Sequence, residues 1–237
     1  GLTPETAWCD YVKNNVGQDF PFELIAGNHE DDGPAGNNID NFVQCLPDRI
    51  GNLTGTYGKE FYFDYPPAAP IARFILVSPG LTFTTGGSYD YSAGTLHYNW
   101  VAQTIDSARS SGIRWIIVGM HQNCITIGVK SCTEIDLLNL LVNKKVDLVL
   151  QGHDHNYQRT KQLAHTAGCT AISAGSFNAD CVADDGSDNS YAKGAGTVVA
   201  IVGTGGNGLY NINTSDPEFG YFARWSGANI DPTWGLI

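Results

Sequence analysis

Helical segments alternate with short apolar strands in the middle of the chain, and this alternation restricts the fold more than any other feature. A helix is predicted over residues 96–110, and an apolar strand follows at 115–118. A second helix is predicted over 133–143, and a second apolar strand comes after it at 146–150. Strands that alternate with helices in this way are typical of a parallel sheet covered by helices. The alternation therefore predicts an α/β fold.

Further elements are predicted on both sides of this region. Thr3, Pro4 and Glu5 have the order of an N-cap, a first-turn proline and an early acid, which predicts a helix up to about residue 16. Apolar or alternating segments predict further strands at 22–26, 59–65, 72–78 and 197–202. The glycine-rich segment 203–206 is followed by neither a helix nor a lysine, so we interpret it as a turn between strands rather than a phosphate-binding loop.

The bulk composition excludes several classes of protein. With 237 residues, 42% of them hydrophobic and 16% charged, the chain can bury a real core, and a single domain over residues 1–237 is the expectation. The formal net charge of -11 argues against sequence-independent binding of nucleic acid, which needs a basic surface. No segment approaches the roughly 20 apolar residues of a membrane span, and no signal peptide is visible. We therefore expect a processed, soluble chain that does not span a membrane.

The six cysteines indicate disulfides. None of them forms the Cys-x-x-Cys pair that is typical of structural zinc sites. Closure of short loops favours Cys124–Cys132 and Cys169–Cys181, which leaves Cys9–Cys45, although six cysteines formally allow other pairings. Oxidised cysteines indicate a secreted, extracellular protein. The tripeptides that begin at Asn52 and Asn213 are glycosylation sequons, which fit the same compartment if the source is eukaryotic.

Three of the predicted strands are followed at once by side chains that can bind a metal ion. Asn28 and His29 follow the first strand, His121 follows a strand in the middle of the chain, and His153 and His155 follow the next one. In open α/β sheets, ligands collect at the carboxyl ends of strands, so we expect these loops to converge. An amide oxygen and imidazole nitrogens suit zinc, iron or manganese better than calcium. The sequence therefore predicts a metal site at this edge of the sheet.

The motifs around these residues resemble those of the calcineurin-like metallophosphoesterase superfamily. The matching segments, in chain order, are Gly27-Asn28-His29-Glu30, the single His121 and Gly152-His153-Asp154-His155. The longer run that continues to Arg159 is similar to the secreted purple acid phosphatase-like branch. The resemblance implies an α/β fold, specifically an α+β sandwich in which two β-sheets are flanked by helices.

By this resemblance, each residue of the set has a role. Asn28, His121 and His153 would bind one metal ion and His155 the other, so the complete protein would hold two divalent or trivalent ions of iron, zinc or manganese. His29 would not be a ligand; it would contact the phosphate and protonate the leaving oxygen. Two ions about 3.5–4 Å apart can activate water and neutralise phosphate charge. The resemblance thus implies hydrolysis of a small phosphate ester, a phosphomonoester more than a phosphodiester, without a covalent intermediate.

Two metal-binding motifs of the resembled family are missing from this sequence. No Asp-x-His and no Gly-Asp come before Gly27. We interpret the chain as incomplete at its N-terminus and, from the way it stops at Ile237, at its C-terminus. A further segment of the same protein is expected to supply the missing carboxylates, and this chain alone is expected to bind metal weakly. The alternative is a non-catalytic secreted glycoprotein or binding fragment that keeps the scaffold without a full metal centre.

Overall fold

The largest element of the structure is a mixed sheet of eight strands. The computed structural model describes residues 3–31, 38–188 and 190–235. In chain order, the strands are β1 (Thr54–Thr56), β2 (Glu60–Tyr65), β3 (Ala72–Val77), β4 (Thr82–Phe83), β5 (Gly87–Ser88), β6 (Trp115–Met120), β7 (Leu148–Gln151), β8 (Tyr157–Thr160), β9 (Gln162–Leu163), β10 (Val182–Asp184), β11 (Val198–Val202) and β12 (Phe222–Ser226). The helices are α1 (Pro4–Val16), α2 (Ile39–Cys45), α3 (Leu96–Ser110) and α4 (Ile135–Asn143), with single 3-10 turns at Ala179–Cys181 and Phe219–Tyr221.

The parallel centre of the large sheet arises from the helix and strand alternation in the sequence. The strand order is β1-β2-β3-β6-β7-β11-β8-β12. Within it, β3 pairs in parallel with β6, β6 with β7, and β7 with β11. Helix α3 lies between β3 and β6 in the chain, and α4 lies between β6 and β7, as crossovers between parallel strands require. The predicted α/β class, with a large sheet flanked by helices, is confirmed.

Antiparallel strands extend the sheet at both edges. β8 pairs with β11 and β12 pairs with β8, while β1 and β2 extend the other edge. The remaining strands among the described residues form two small sheets of two strands each, β4 with β5 and β9 with β10. The second sheet implied by the resemblance is therefore not a separate layer in this part of the chain. The reason is that β8 uses the free edge of β11 to satisfy its backbone hydrogen bonds.

The two faces of the sheet differ in burial. One face belongs to the main core together with α3 and α4, through buried side chains such as Ile75, Ile116 and Val149. On the other face, several apolar side chains of β3, β6 and β7 are only half-buried, and three of them lie side by side in register. We call this second surface the open face; its residues are Phe74, Leu76, Ile117, Leu148 and Leu150.

The prediction of a strand at 22–26 is wrong. This segment makes a single parallel bridge, between Ile25 and Gly58, instead of a ladder. The Tyr57 hydroxyl accepts a hydrogen bond from the Leu24 amide at 3.3 Å and takes the place of a strand partner. Because a side chain satisfies the backbone here, the apolar pattern that predicts a strand does not produce one.

The predicted helices α1 and α3 have the expected bounds, and α4 begins two residues later than expected. The Thr3 hydroxyl accepts a hydrogen bond from the Thr6 amide at 3.3 Å, and Pro4 is the first helical residue, as the N-cap prediction requires. Helix α4 begins at Ile135 because Glu134 has a left-handed backbone conformation, with φ of 61°.

All three disulfides favoured by the sequence are formed: Cys9–Cys45, Cys124–Cys132 and Cys169–Cys181. The first joins α1 to α2, and the second closes the loop between β6 and α4. Such bonds stabilise a fold mainly by restricting the unfolded chain. None of the helices within the described ranges has the length and apolar character needed to cross a membrane.

Candidate metal centre

Three of the predicted metal ligands converge at the carboxyl ends of the neighbouring strands β6 and β7. His121 Nε2 lies 2.8 Å from Asn28 Oδ1 and 3.2 Å from His153 Nδ1. His121 directly follows β6, and His153 follows the adjacent parallel strand β7, with the Gly152 amide donating to the His121 carbonyl at 3.0 Å. The expected convergence of these loops is therefore seen for three side chains from distant parts of the chain.

The surroundings of Asn28 leave little room for a side chain at position 27. The Glu30 carboxylate accepts a hydrogen bond from the Gly27 amide at 3.1 Å and holds a tight turn. A Cβ atom at Gly27 would lie 3.0 Å from both the Glu30 carboxylate and the His121 ring. Glycine thus allows the Asn28 amide to approach His121 closely.

Burial and nearby positive charges keep two of the imidazoles in the neutral form. Burial, followed by positive charge on His153 and His29, lowers the pKa of His121 to about 4. Burial also lowers the pKa of His153, and the positive charge of Lys130 is the next largest cause. A neutral imidazole offers a nitrogen lone pair, which is the form that binds a metal ion.

His155 is oriented by the glycine-rich loop that follows β11. Its Nδ1 lies 3.1 Å from the Gly208 carbonyl oxygen, which can only accept, so Nδ1 carries the proton and Nε2 keeps the lone pair. The Tyr210 ring stacks on the His155 ring with centroids 4.1 Å apart and planes 13° apart. The Tyr210 amide also donates to the His155 carbonyl at 2.8 Å. Segment 203–206 begins an irregular connection from β11 towards β12 rather than a tight turn, and this loop also supports His155.

His29 is exposed beside this cluster. His29 follows Asn28 in the sequence. Positive charge on His29 contributes to lowering the pKa of both His121 and His153.

A buried polar network beneath these histidines was not predicted from the sequence. Asp154, fully buried between His153 and His155 in the chain, accepts hydrogen bonds from the Thr126 hydroxyl at 2.5 Å and from the Val129 amide at 2.9 Å. The signal in the sequence is a polar Thr126 within an otherwise apolar run, which marks a hydroxyl that needs a partner. We call the segment Cys124–Cys132 the anchored loop, because this network ties it to the histidines.

The converging side chains fit one metal ion by their chemistry. They offer one amide oxygen and two neutral imidazole nitrogens, a donor set that suits zinc, iron or manganese. Within the described ranges, no group of three or more His, Cys, Asp or Glu side chains could hold a metal ion. The amide of Asn28 is therefore needed to complete even a three-donor set.

The two predicted glycosylation sequons differ in their surroundings. Asn213 is exposed, and its side-chain oxygen accepts a hydrogen bond from the Ser215 amide at 3.0 Å. Asn52 is half-buried, and its side-chain nitrogen donates to the Asp64 carbonyl at 2.7 Å. Because a glycan is attached to that nitrogen, Asn213 is the better placed acceptor. Glycosylation at either position stays a prediction.

Sequence comparisons identify relatives that are longer than this chain. Residues 1–157 match the family model described as calcineurin-like phosphoesterase. An uncharacterized protein of Mycobacterium tuberculosis is 29% identical over 174 residues, which covers 68% of this chain and 32% of that protein. A nucleotide pyrophosphatase/phosphodiesterase of Hordeum vulgare is 26% identical over 218 residues, which covers 85% of this chain and 53% of that protein. The chain thus spans about a third to a half of the length of these curated relatives.

Among solved structures, the chain is similar to a purple acid phosphatase from yellow lupin seeds. The TM-score is 0.52 at 21% sequence identity, with 85% of this chain and 34% of the lupin chain covered. At this identity the likeness shows a shared fold alone. The family model, by contrast, covers well over half of this sequence and includes all the converging histidines. The chain therefore belongs to the calcineurin-like phosphoesterase family.

Proposed function

We propose that the protein hydrolyses phosphate esters at a metal centre in which Asn28, His121 and His153 hold one ion and His155 holds the second. The observation that carries this proposal is the convergence of Asn28 Oδ1, His121 Nε2 and His153 Nδ1 within 2.8–3.2 Å. When bound, ions of iron, zinc or manganese would polarise the phosphoryl group and activate water for attack on phosphorus.

The residues of this chain contribute orientation and proton transfer. Burial favours the neutral, ligating form of His121 and His153. The Gly208 carbonyl holds the Nδ1 proton of His155, which leaves Nε2 available as a ligand. In our proposal the exposed His29 binds the phosphate and donates a proton to the leaving oxygen.

We propose a small phosphomonoester as the preferred substrate and a phosphodiester as the next one. Membership of a phosphoesterase family supports the general reaction. The name of the barley relative includes both pyrophosphatase and phosphodiesterase activity, so both ester classes need to be assayed. The three disulfides support a secreted protein that acts in an oxidising compartment.

We also propose that a further polypeptide segment completes the centre with carboxylates. The described residues supply an amide and imidazoles but no carboxylate among the converging donors. The open face supports the same idea, because Phe74, Ile117 and Leu148 form a row of half-buried apolar side chains on the sheet that carries His121 and His153. A layer packed on this face would lie next to the cluster.

Metal content and turnover test the proposed function together. The protein, as isolated from its native source, should contain about two metal ions per chain and hydrolyse p-nitrophenyl phosphate. His153→Ala should lower kcat/KM more than about 100-fold, because the change removes a ligand rather than a supporting contact. His165→Gln is the matched control, since His165 hydrogen-bonds Asn139 at 3.0 Å, outside the cluster, and it should leave kcat/KM unchanged. Native protein without bound metal or turnover would contradict the proposal.

A non-catalytic binding protein is the second candidate. The lack of a group of three His, Cys, Asp or Glu side chains suited to a metal, within the described ranges, favours it. In that case the protein isolated from its source would contain no stoichiometric metal, and His153→Ala would change neither metal content nor hydrolysis. The same measurements therefore separate the two candidates.

A further inference from the structure

The anchored loop carries a lysine to the edge of the histidine cluster. Lys130 is half-buried, and its Nζ lies 5.5 Å from the centroid of the Tyr210 ring. The same Tyr210 ring stacks on His155 at 4.1 Å. Lys130, Tyr210 and His155 thus form a continuous row that ends at a proposed metal ligand.

The anchored loop holds this lysine in place through both covalent and polar links. The Cys124–Cys132 disulfide closes it, and the Val129 amide, next to Lys130, donates to the buried Asp154 carboxylate at 2.9 Å. The Thr126 amide donates to the Glu218 carboxylate at 2.7 Å. A lysine attached to such a loop loses less freedom on binding an anion than one on a flexible surface segment.

The Lys130 ammonium group lies over the Tyr210 ring and is not paired with a carboxylate among the described residues. Among the described residues it forms no salt bridge, although the chain as a whole has a formal net charge of -11. Lys59, Lys144 and Lys193, by comparison, each pair with an aspartate. The cluster therefore has a half-buried ammonium group that is available to an anionic ligand.

We propose that Lys130 binds a non-bridging phosphate oxygen of the substrate and favours phosphomonoesters over phosphodiesters. This inference rests on the proposed phosphoesterase function, because the anion is the substrate of that reaction. A phosphomonoester carries close to two negative charges near neutral pH, whereas a diester carries one. An ammonium group in a partly desolvated position therefore stabilises a bound monoester more than a bound diester.

Replacement of Lys130 tests this assignment with three ligands. In the metal-loaded native protein, Lys130→Met should lower kcat/KM for p-nitrophenyl phosphate by about 10- to 100-fold and weaken inhibition by inorganic phosphate by a similar factor. The loss for bis(p-nitrophenyl) phosphate should be less than about 5-fold. Lys130→Arg keeps the charge and should retain most of the monoester activity. Lys161→Met is the matched control, because Lys161 has a similar ring contact, 5.8 Å from Phe177, and should be without effect.

The outcomes separate this inference from the proposed function. Equal losses for monoester and diester in Lys130→Met, or no recovery in Lys130→Arg, would overturn the role of Lys130 and leave the hydrolytic function standing. If the wild-type protein hydrolyses neither ester, the binding of inorganic phosphate measured by titration calorimetry still decides: weaker binding in Lys130→Met supports the anion site, and unchanged or absent binding overturns it.

Discussion

At the scale of single residues, His155 shows how a proposed metal ligand is oriented by neighbouring groups that bind no metal themselves. The Gly208 carbonyl lies 3.1 Å from its Nδ1, and the Tyr210 ring covers one side of the imidazole. The carbonyl selects the tautomer, and the ring restricts rotation of the imidazole about its side-chain bonds. Both contacts come from a loop that the sequence predicts only as a turn. Partners of this kind typically change metal affinity or activity by about 10- to 100-fold when they are removed.

We therefore predict that Tyr210→Ala lowers kcat/KM of the metal-loaded protein by about 10-fold, because His155 loses its stacked neighbour. Tyr210→Phe keeps the stacked ring and should retain activity within about 2-fold. Steady-state kinetics with p-nitrophenyl phosphate, together with metal analysis of both variants, measures the difference. Equal activity in the alanine and phenylalanine variants would show that the stacking does not orient His155.

At the scale of structural elements, one hydroxyl group of the anchored loop bonds both Gln158 in β8 and Asp154 between the two histidines. Thr126 Oγ1 donates to Asp154 and accepts hydrogen bonds from the Gly128 amide at 2.9 Å and from Gln158 Nε2 at 2.8 Å. Gln158 also accepts a hydrogen bond from the Ile127 amide at 2.8 Å. The side chains of Thr126, Asp154 and Gln158 are buried, so the loss of this hydroxyl costs more than an average hydrogen bond contributes.

Thr126→Val should lower the free energy of unfolding by about 2–4 kcal/mol, because valine has the shape of threonine but leaves Asp154, Gly128 and Gln158 without that partner. Urea denaturation followed by circular dichroism measures the change. Thr82→Val, in the exposed position of β4, is the control and should change stability by less than about 0.5 kcal/mol. A similar result for both variants would contradict the role of the network.

At the scale of the whole molecule, Glu23 couples stability to pH. Burial and the nearby negative charge of Asp48 raise the pKa of Glu23 to about 7, although the Arg49 amide donates to one carboxylate oxygen at 3.4 Å. The other oxygen is buried without a hydrogen-bond partner among the described residues. Between the ordinary value of 4.5 and about 7, the folded chain keeps a proton that the unfolded chain has released. The contribution of this group to stability is therefore complete below about pH 4.5 and is lost as the pH rises towards 7.

The stability of the Glu23→Gln variant should therefore fall less between pH 4.5 and pH 7 than that of the wild type, because glutamine stays neutral throughout this range. Melting temperatures of the variant and the wild type, measured across these pH values, should diverge as the pH increases, with the variant more stable at pH 7. Parallel curves would mean that Glu23 is not protonated in the folded chain.

The sequence by itself determined the α/β class, the helices α1 and α3, the favoured disulfide pairing and the strand ends that place His121 and His153 side by side. These features depend on local periodicity and on one geometric rule, that parallel strands present their carboxyl ends at the same edge of a sheet. Residues near one another in the chain, or at equivalent ends of parallel strands, carry this information in the sequence.

Only the tertiary structure decided which distant groups satisfy the buried polar atoms. Thr126 and Asp154 are 28 residues apart, and Gly208 is 53 residues from His155, yet both contacts support the site. The same holds where Tyr57 replaces a strand partner of the 22–26 segment and where β8 extends the large sheet. A periodic pattern indicates that one side of a helix or strand is buried, or that a backbone group needs a hydrogen-bond partner. Which residue is that partner depends on packing across the whole fold.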